Sequence, residues 1–337
     1  MKRVVLLNDL DIPDVISKSL YREYIKHLGK DIKVYFSRSS SLVEVICPGC
    51  GRKNAHSVYK KMGMNFVICS QCGSHYVSPR PKPETLEKFY RESNACRYWR
   101  KESLNLLESQ LCYIYGPRVN WILELVEEFL SGSSILLDIE TKYPQLLKHL
   151  LREDAFSSIL ALRPQLFEQL DLLPNRVTIK GDFDNYSGIV SIITAFETLE
   201  RMFDPRELFT LANKCCKPGG LLFITTASCS GFEYQVLGEN APNINPINRM
   251  NLLSLDALLE RIRLAGFELI ELSTPGRLDV EIAREAVKKS ENIKIDPFWK
   301  YIFKYRDKKT WHDLQNFLQT NRLSSHVRIA ARKVDNT

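Results

Sequence analysis

From about residue 97 onward, short apolar runs alternate with longer stretches of helical periodicity. Ser134–Asp138, Ser158–Leu162, Arg176–Ile179, Gly188–Thr194 and Gly220–Thr226 are too short for buried helices and are bounded by polar or turn residues, so each predicts a strand. Helical stretches between most of them imply a mostly parallel sheet with helices on both faces, a doubly wound α/β domain. Helices over 279–289 and 296–320 and a last strand over 325–331 complete the pattern. In the last helix Phe298, Trp299, Tyr301, Ile302, Phe303, Tyr305 and Trp311 have the spacing of a packing face.

The amino-terminal part reads differently. Arg3–Leu7 predicts a strand, and residues 14–28 predict a helix with Val15, Ile16, Leu20, Tyr21, Tyr24 and Leu28 near one face, Pro13 ahead and Gly29 after. Ile32–Phe36 predicts a second strand, so residues 1–44 form a small β-α-β appendage. A serine-rich linker leads to a compact segment at 45–82, and Pro83 opens a helix and the α/β domain of 83–337.

Composition narrows the class. The 337 residues are 44% hydrophobic and 26% charged, with 15 Gly and 15 Pro, which excludes collagen-like, low-complexity and wholly disordered chains. No window supplies the roughly 20 apolar residues of a membrane span, and Asn8 and Asp9 interrupt the first apolar run, so a cytoplasmic, soluble protein is expected. The net charge of +7 has neither a long like-charge block nor a stacking motif with it, and nucleic acid is not an expected partner.

Cysteine spacing carries the strongest local signal. Cys47-Pro-Gly-Cys50 and Cys69-Ser-Gln-Cys72 form two C-x2-C pairs eighteen residues apart, the spacing of a four-thiolate zinc site. Gly51 and Gly73 follow the pairs, where a positive φ lets backbone N–H groups point at sulfur. The intervening residues predict two short strands, hence a zinc ribbon. Four thiolates close the coordination shell, so the metal is expected to be structural, and loss of a ligand to destabilise the ribbon without altering any catalytic pocket directly. His56 and His75 are then not needed as ligands, and Cys96, Cys112, Cys215, Cys216 and Cys229 read as core or surface thiols.

The order of motifs resembles class I S-adenosylmethionine (SAM)-dependent methyltransferases, in the branch with an amino-terminal zinc ribbon associated with sugar and surface-polysaccharide biosynthesis. Carrying the resemblance are the ribbon, residues 72–81, Leu136-Leu-Asp138, Thr194-Ala-Phe-Glu-Thr-Leu-Glu200, Lys217-Pro-Gly-Gly-Leu-Leu222, Gly231-Phe-Glu-Tyr-Gln235, Asn251-Leu-Leu-Ser254, Ala265-Gly-Phe267 and Ser273-Thr-Pro-Gly-Arg-Leu-Asp279. The resemblance implies a Rossmann-like fold, SAM as methyl donor, and a sugar or sugar-nucleotide acceptor in glycan biosynthesis. The family's cofactor loop reads Asp-x-Gly-x-Gly-x-Gly, whereas this chain has Asp138-Ile-Glu140-Thr-Lys142-Tyr-Pro144. Arg163 stands where the family has a ribose-binding acid, and a guanidinium has no acceptor for the ribose hydroxyls. Ser191 and Arg201 depart from the family pattern as well. Weak or absent SAM binding follows as an expectation, with a non-catalytic subunit that binds a partner enzyme or glycan intermediate as the alternative.

Candidate residues lie where strands end. Asp138, Glu140, Lys142, Arg163 and Asp182 line the implied cofactor crevice. Lys142 and Arg163 read first as salt-bridge partners of Glu140 or Asp138 and second as a site for a phosphate or carboxylate ligand. Glu197 and Glu200 suit a general base or a substrate hydroxyl, or are carboxylates favoured at a helix start. Tyr234 and Asn251 belong to the 227–253 insertion, which is either a lid over a sugar or a plain surface loop. Arg277 suits a bidentate phosphate contact, or simply follows a turn at Pro275-Gly276.

Overall fold

A computed structural model describes residues 18–104, 108–132, 134–140, 144–151, 156–162, 177–180, 186–290 and 292–334. The chain begins with α1 (Lys18–Tyr35), followed by β1 (Leu42–Val43), β2 (Ala55–Lys61), β3 (Met64–Cys69), β4 (His75–Val77), β5 (Arg80–Pro81), α2 (Pro83–Glu92), α3 (Asn94–Leu104) and α4 (Glu108–Phe129). Next come β6 (Ser134–Ile139), α5 (Pro144–Leu150), β7 (Phe156–Leu162), β8 (Val177–Lys180), β9 (Val190–Phe196), α6 (Arg206–Cys215), β10 (Cys216–Ala227), α7 (Phe232–Leu237) and β11 (Asn251–Leu252). The last elements are α8 (Leu255–Leu264), β12 (Phe267–Ser273), α9 (Asp279–Lys289), α10 (Pro297–Tyr305), α11 (Lys308–Thr320) and β13 (His326–Lys333).

Seven strands form the main sheet in the order β12-β13-β10-β9-β6-β7-β8. The pairs from β8 through β10 are parallel, and β13 runs antiparallel to both β10 and β12. The central strands are buried on both faces, which is why β9 reads as the unbroken run Val-Ser-Ile-Ile-Thr-Ala-Phe. One face packs α4 and α5 through Trp121, Ile122, Leu146 and Leu147. The other packs α6 and α8 through Leu208, Phe209, Leu258 and Ile262. Strand order reverses between β6 and β9, so the ligand crevice of this architecture opens at their carboxyl ends. The doubly wound α/β domain expected from the apolar runs is therefore present, and β12 adds an edge strand that those runs did not announce.

The appendage differs from its sequence reading. Ile32–Phe36 is not a second strand, because α1 continues to Tyr35 through Gly29. Tyr24, Leu28 and Ile32 recur every fourth residue as a buried stripe, whereas Val34, which a strand would place beside Ile32 and Phe36, is 74% exposed. The Asp31 carboxylate, buried in the same helix, accepts from the amide of Ala95 at 2.7 Å and caps the start of α3. Tertiary packing thus overrides the stop signal at Gly29. The expected strand at residues 3–7 lies outside the described residues. The single helix expected over 296–320 is split, because the Asp307 carboxylate accepts from the Thr310 amide at 3.0 Å and starts α11 anew.

β2 and β3 form the ribbon hairpin, with β4 beside β3. A fourth strand, β11, comes from the far insertion and pairs antiparallel with β4 through Asn251 opposite Tyr76. The ribbon sheet is therefore completed by the α/β domain. Phe66 and Val77 of the ribbon share a core with α1, α2, Phe232, Tyr234 and Ile247.

Candidate functional site

The ribbon brings its four cysteines together. Sγ atoms of Cys47, Cys50, Cys69 and Cys72 all lie within 4.8 Å of one another. Cys47 and Cys72 sulfurs are 3.5 Å apart, and those of Cys50 and Cys69 are 3.6 Å apart. A tetrahedral zinc with bonds near 2.3 Å sets its sulfurs about 3.8 Å apart, so the arrangement fits a metal of that preference. Gly51 and Gly73 have φ of 76° and 69°, and their amides donate to the carbonyls of Cys47 and Cys69, closing each knuckle. The hydrogen bond from Cys47 lowers the pKa of Cys72, which favours thiolate character in that pair of sulfurs. Ser74 Oγ lies 3.3 Å from Cys72 Sγ and accepts from the Ser254 amide at 3.1 Å. Ser254 in turn caps α8 by accepting from Ala257 at 3.2 Å. The cluster is thus wired to the α/β domain rather than set apart from it.

At the switch point, Asp138, the penultimate residue of β6, is a buried carboxylate that accepts from Thr194 Oγ1 at 2.6 Å. Two residues on, Glu140 takes φ of 52°, a conformation that favours glycine. The backbone bend of a glycine loop is kept while a glutamate side chain is added. Lys142, Arg163 and Asp182 lie outside the described residues.

Glu197 follows β9 with φ of 49° and accepts from Arg118 Nη2 at 2.7 Å and from Thr225 Oγ1 at 2.8 Å. Glu200 is buried, holds the Ala227 amide at 3.0 Å, and is pushed above the usual carboxylate range by burial. The Asn251 amide donates to the carbonyls of Leu199 and Met202 at 2.9 and 2.8 Å, so this side chain ties the ribbon sheet to the segment after β9.

Beside these residues a cavity of about 320 Å³ opens at the carboxyl end of β10, where antiparallel β13 begins. It is lined by Tyr234 of α7 and by Arg277 of the turn after β12, as well as by Arg118, Arg249, His326 and Arg328. Tyr234 and Arg277 therefore meet in one cavity, Glu197 stands behind it through Arg118 and Thr225, and Asn251 does not line it. Arg249 donates from Nη1 to Tyr234 Oη at 3.2 Å. Burial disfavours its charge, but Tyr234, Glu200 and Glu233 more than compensate and keep it firmly cationic. Glu233, also on the cavity wall, accepts from Asn243 Nδ2 at 2.8 Å and is pushed up to about 7 by burial. Burial holds His326 down at about 4, so it is neutral at physiological pH. Arg328 is fixed by Glu271 at 3.0 Å and lies 4.1 Å over the Trp121 ring. Such a wall, cationic and rich in donors, suits an anionic or polyhydroxylated ligand.

Sequence reasoning had not singled out Arg118, Arg249, Glu233, His326 or Arg328. They come from α4, α7, β13 and the loop before β11, and only the antiparallel return of β13 and the path of the insertion place them together.

Residues 117–272 match the family model of a methyltransferase domain. No curated protein sequence matches the chain. Among solved structures, a chain of the Haloferax volcanii Trm112 methyltransferase activator complex is 13% identical, with a TM-score of 0.46, over 71% of this chain and 98% of that one. Geranyl diphosphate C-methyltransferase from Streptomyces coelicolor A3(2) is 16% identical, with a TM-score of 0.43, over 70% of this chain and 84% of that one. The [4+2]-cyclase SpnF is 20% identical, with a TM-score of 0.40, over 63% of this chain and 80% of that one. The methyltransferase-like domain spans β6 to β12 of the sheet, and the four-cysteine ribbon precedes the match. Among the described residues no helix is long and apolar enough to cross a membrane.

Proposed function

We propose that the chain is a SAM-dependent methyltransferase-family protein whose cavity receives a sugar or sugar-nucleotide acceptor. The observation that carries this reading is the meeting of Tyr234, Arg249 and Arg277 in one cavity at the carboxyl end of the sheet, where this architecture binds ligands. Arg249 and Arg277 supply charge-assisted donors for a phosphate, and Glu233 near neutrality can accept from or donate to a hydroxyl. The ribbon would hold a structural zinc through Cys47, Cys50, Cys69 and Cys72. Glu140 has a glycine-like backbone at the first of the family's glycine positions and adds a charged side chain there, which speaks against an ordinary cofactor pose. This favours a second reading, a non-catalytic subunit that keeps acceptor binding and serves a partner biosynthetic enzyme.

Calorimetric titration with SAM and S-adenosylhomocysteine, beside ligand-observed NMR against a panel of nucleotide sugars, separates the two. Saturable nucleotide-sugar signals lost in Arg277→Ala and Tyr234→Phe support acceptor binding. Tight SAM binding supports catalysis, and silence from the whole panel overturns the acceptor reading.

A further inference from the structure

Charge and aromatic surface are concentrated at residues 294–309. Residues 294–309 hold Lys294, Lys300, Lys304, Arg306, Lys308 and Lys309 against Asp296 and Asp307, a net +4 of the chain's +7, and of these lysines Lys309 pairs with Asp313 at 2.8 Å just beyond the segment. All six cations are exposed. Both aspartates are engaged as helix caps, Asp296 accepting from Phe298 at 2.8 Å and Asp307 from Thr310 at 3.0 Å. On α10, Phe298, Tyr301 and Tyr305 fall at i, i+3 and i+7, one face of the helix. They are 59%, 52% and 64% exposed, and the Tyr301 and Tyr305 rings lie 5.5 Å apart as a continuous ridge. The ridge is not slack packing: on the inner side Trp299 meets Phe232 edge-on at 4.8 Å and Phe303 is buried.

We propose that α10 docks on an anionic lipid bilayer, the Phe298–Tyr301–Tyr305 ridge entering the headgroup region while Lys300, Lys304 and Lys308 pair with lipid phosphates. An apolar and amphipathic ring set beside lysines is the composition that settles at such an interface, where aromatics lie at headgroup depth and each lysine adds attraction to anionic lipid. A nucleic acid would use the lysines, but the Tyr301 and Tyr305 rings pack on each other at 5.5 Å with a 38° tilt instead of presenting separate parallel faces to successive bases. A purely apolar protein partner would leave the lysines without counter-charge.

The test is sedimentation of the full chain with phosphatidylcholine vesicles, with and without phosphatidylglycerol. Co-sedimentation only with the anionic vesicles, declining as salt rises, is expected. Phe298→Ser/Tyr305→Ser lowers partitioning by about tenfold, and Lys300→Glu/Lys304→Glu by more than about tenfold. All four positions are exposed, and a thermal melt identifies a variant that has lost its fold, in which case Lys304→Glu alone is used. Wild-type binding that is absent, or equal for both vesicles, overturns the proposal. So does a dimer in solution that Phe298→Ser/Tyr305→Ser converts to monomer, since the ridge is then a subunit contact.

Discussion

The amide of Ser254 donates to Oγ of Ser74, a residue 3.3 Å from the sulfur of Cys72. This contact joins the cap of α8 to the cysteine cluster, and the β4–β11 pairing joins the same ribbon to the segment that carries Arg249. Cys229, just beyond β10, adds a hydrogen bond from Sγ to the Gly73 carbonyl at 3.3 Å. A disturbance at the sulfurs therefore has a short path to the cavity wall.

Metal removal should expose that path. Purified protein is expected to carry about one zinc per chain, and Cys50→Ser to lose it. Amide exchange should then quicken in β3 and β4 and also across Met250–Ser254. Elemental analysis checks the metal, and hydrogen exchange by mass spectrometry checks the reach; quickening confined to residues 45–82 would show the ribbon to be energetically separate.

The Arg118–Glu197 pair is mostly buried, at 14% and 18% side-chain exposure. Arg118→Met leaves the carboxylate the hydrogen bond from Thr225 Oγ1 at 2.8 Å and is expected to cost about 2 kcal/mol of stability, discounted for the remaining solvent contact. Glu197→Gln keeps an acceptor for Thr225 and should cost less. Urea unfolding of the two variants gives the order.

Gly231, at the start of α7, lies close against the backbone that leads into β13: a Cβ there would sit 2.1 Å from Cα of Ser325. Gly231→Ala must push backbone against backbone, and a loss of about 3 kcal/mol or more is expected. At Gly116 in α4 a Cβ meets nothing within 4 Å, so Gly116→Ala should stabilise by up to about 1 kcal/mol. Thermal unfolding of the pair tests whether the clash, and not glycine's flexibility, decides.

How much of this was legible follows from how local each feature is. The knuckles were readable because two C-x2-C pairs and their glycines are contiguous, and the sheet because central strands are buried on both faces. The end of α1 was not, since Asp31 and Ile32 are helical for the sake of α3 and the core. The cavity was legible in Tyr234 and Arg277, which sit in motifs, but not in Arg249, whose motif-free loop reaches the wall only once β11 joins the ribbon. Asn251 lay in a readable motif, yet its amide serves two backbone carbonyls instead of the cavity.

Glu233 gives stability a defined pH dependence. Its carboxyl moves from 4.5 to about 7 on folding, so between these values the folded state holds more proton than the unfolded one. Stability then declines as pH rises from about 4.5 through 7. Relative to wild type, Glu233→Gln should gain on the order of 2 kcal/mol across that window. Urea unfolding at intervals across the window measures it, and a flat difference between the proteins would mean that Glu233 is ionised throughout.

Glu140 offers the sharpest test of the cofactor loop. Its φ of 52° costs a non-glycine residue about 1 kcal/mol, so Glu140→Gly relieves backbone strain while enlarging the unfolded ensemble, and the two effects nearly cancel in stability. Binding should respond more strongly. The substitution removes a side chain and a negative charge from the turn after β6 and leaves Asp138 with its Thr194 partner at 2.6 Å. If the side chain is what weakens SAM binding, affinity should rise about tenfold or more, because relieving one unfavourable buried polar contact is worth about 1–3 kcal/mol. Calorimetry on wild type and Glu140→Gly, with melting curves to confirm equal folding, measures this directly. Equal and tight binding by both would mean that the loop takes the cofactor around Glu140; equal and negligible binding would place the obstacle elsewhere in the crevice.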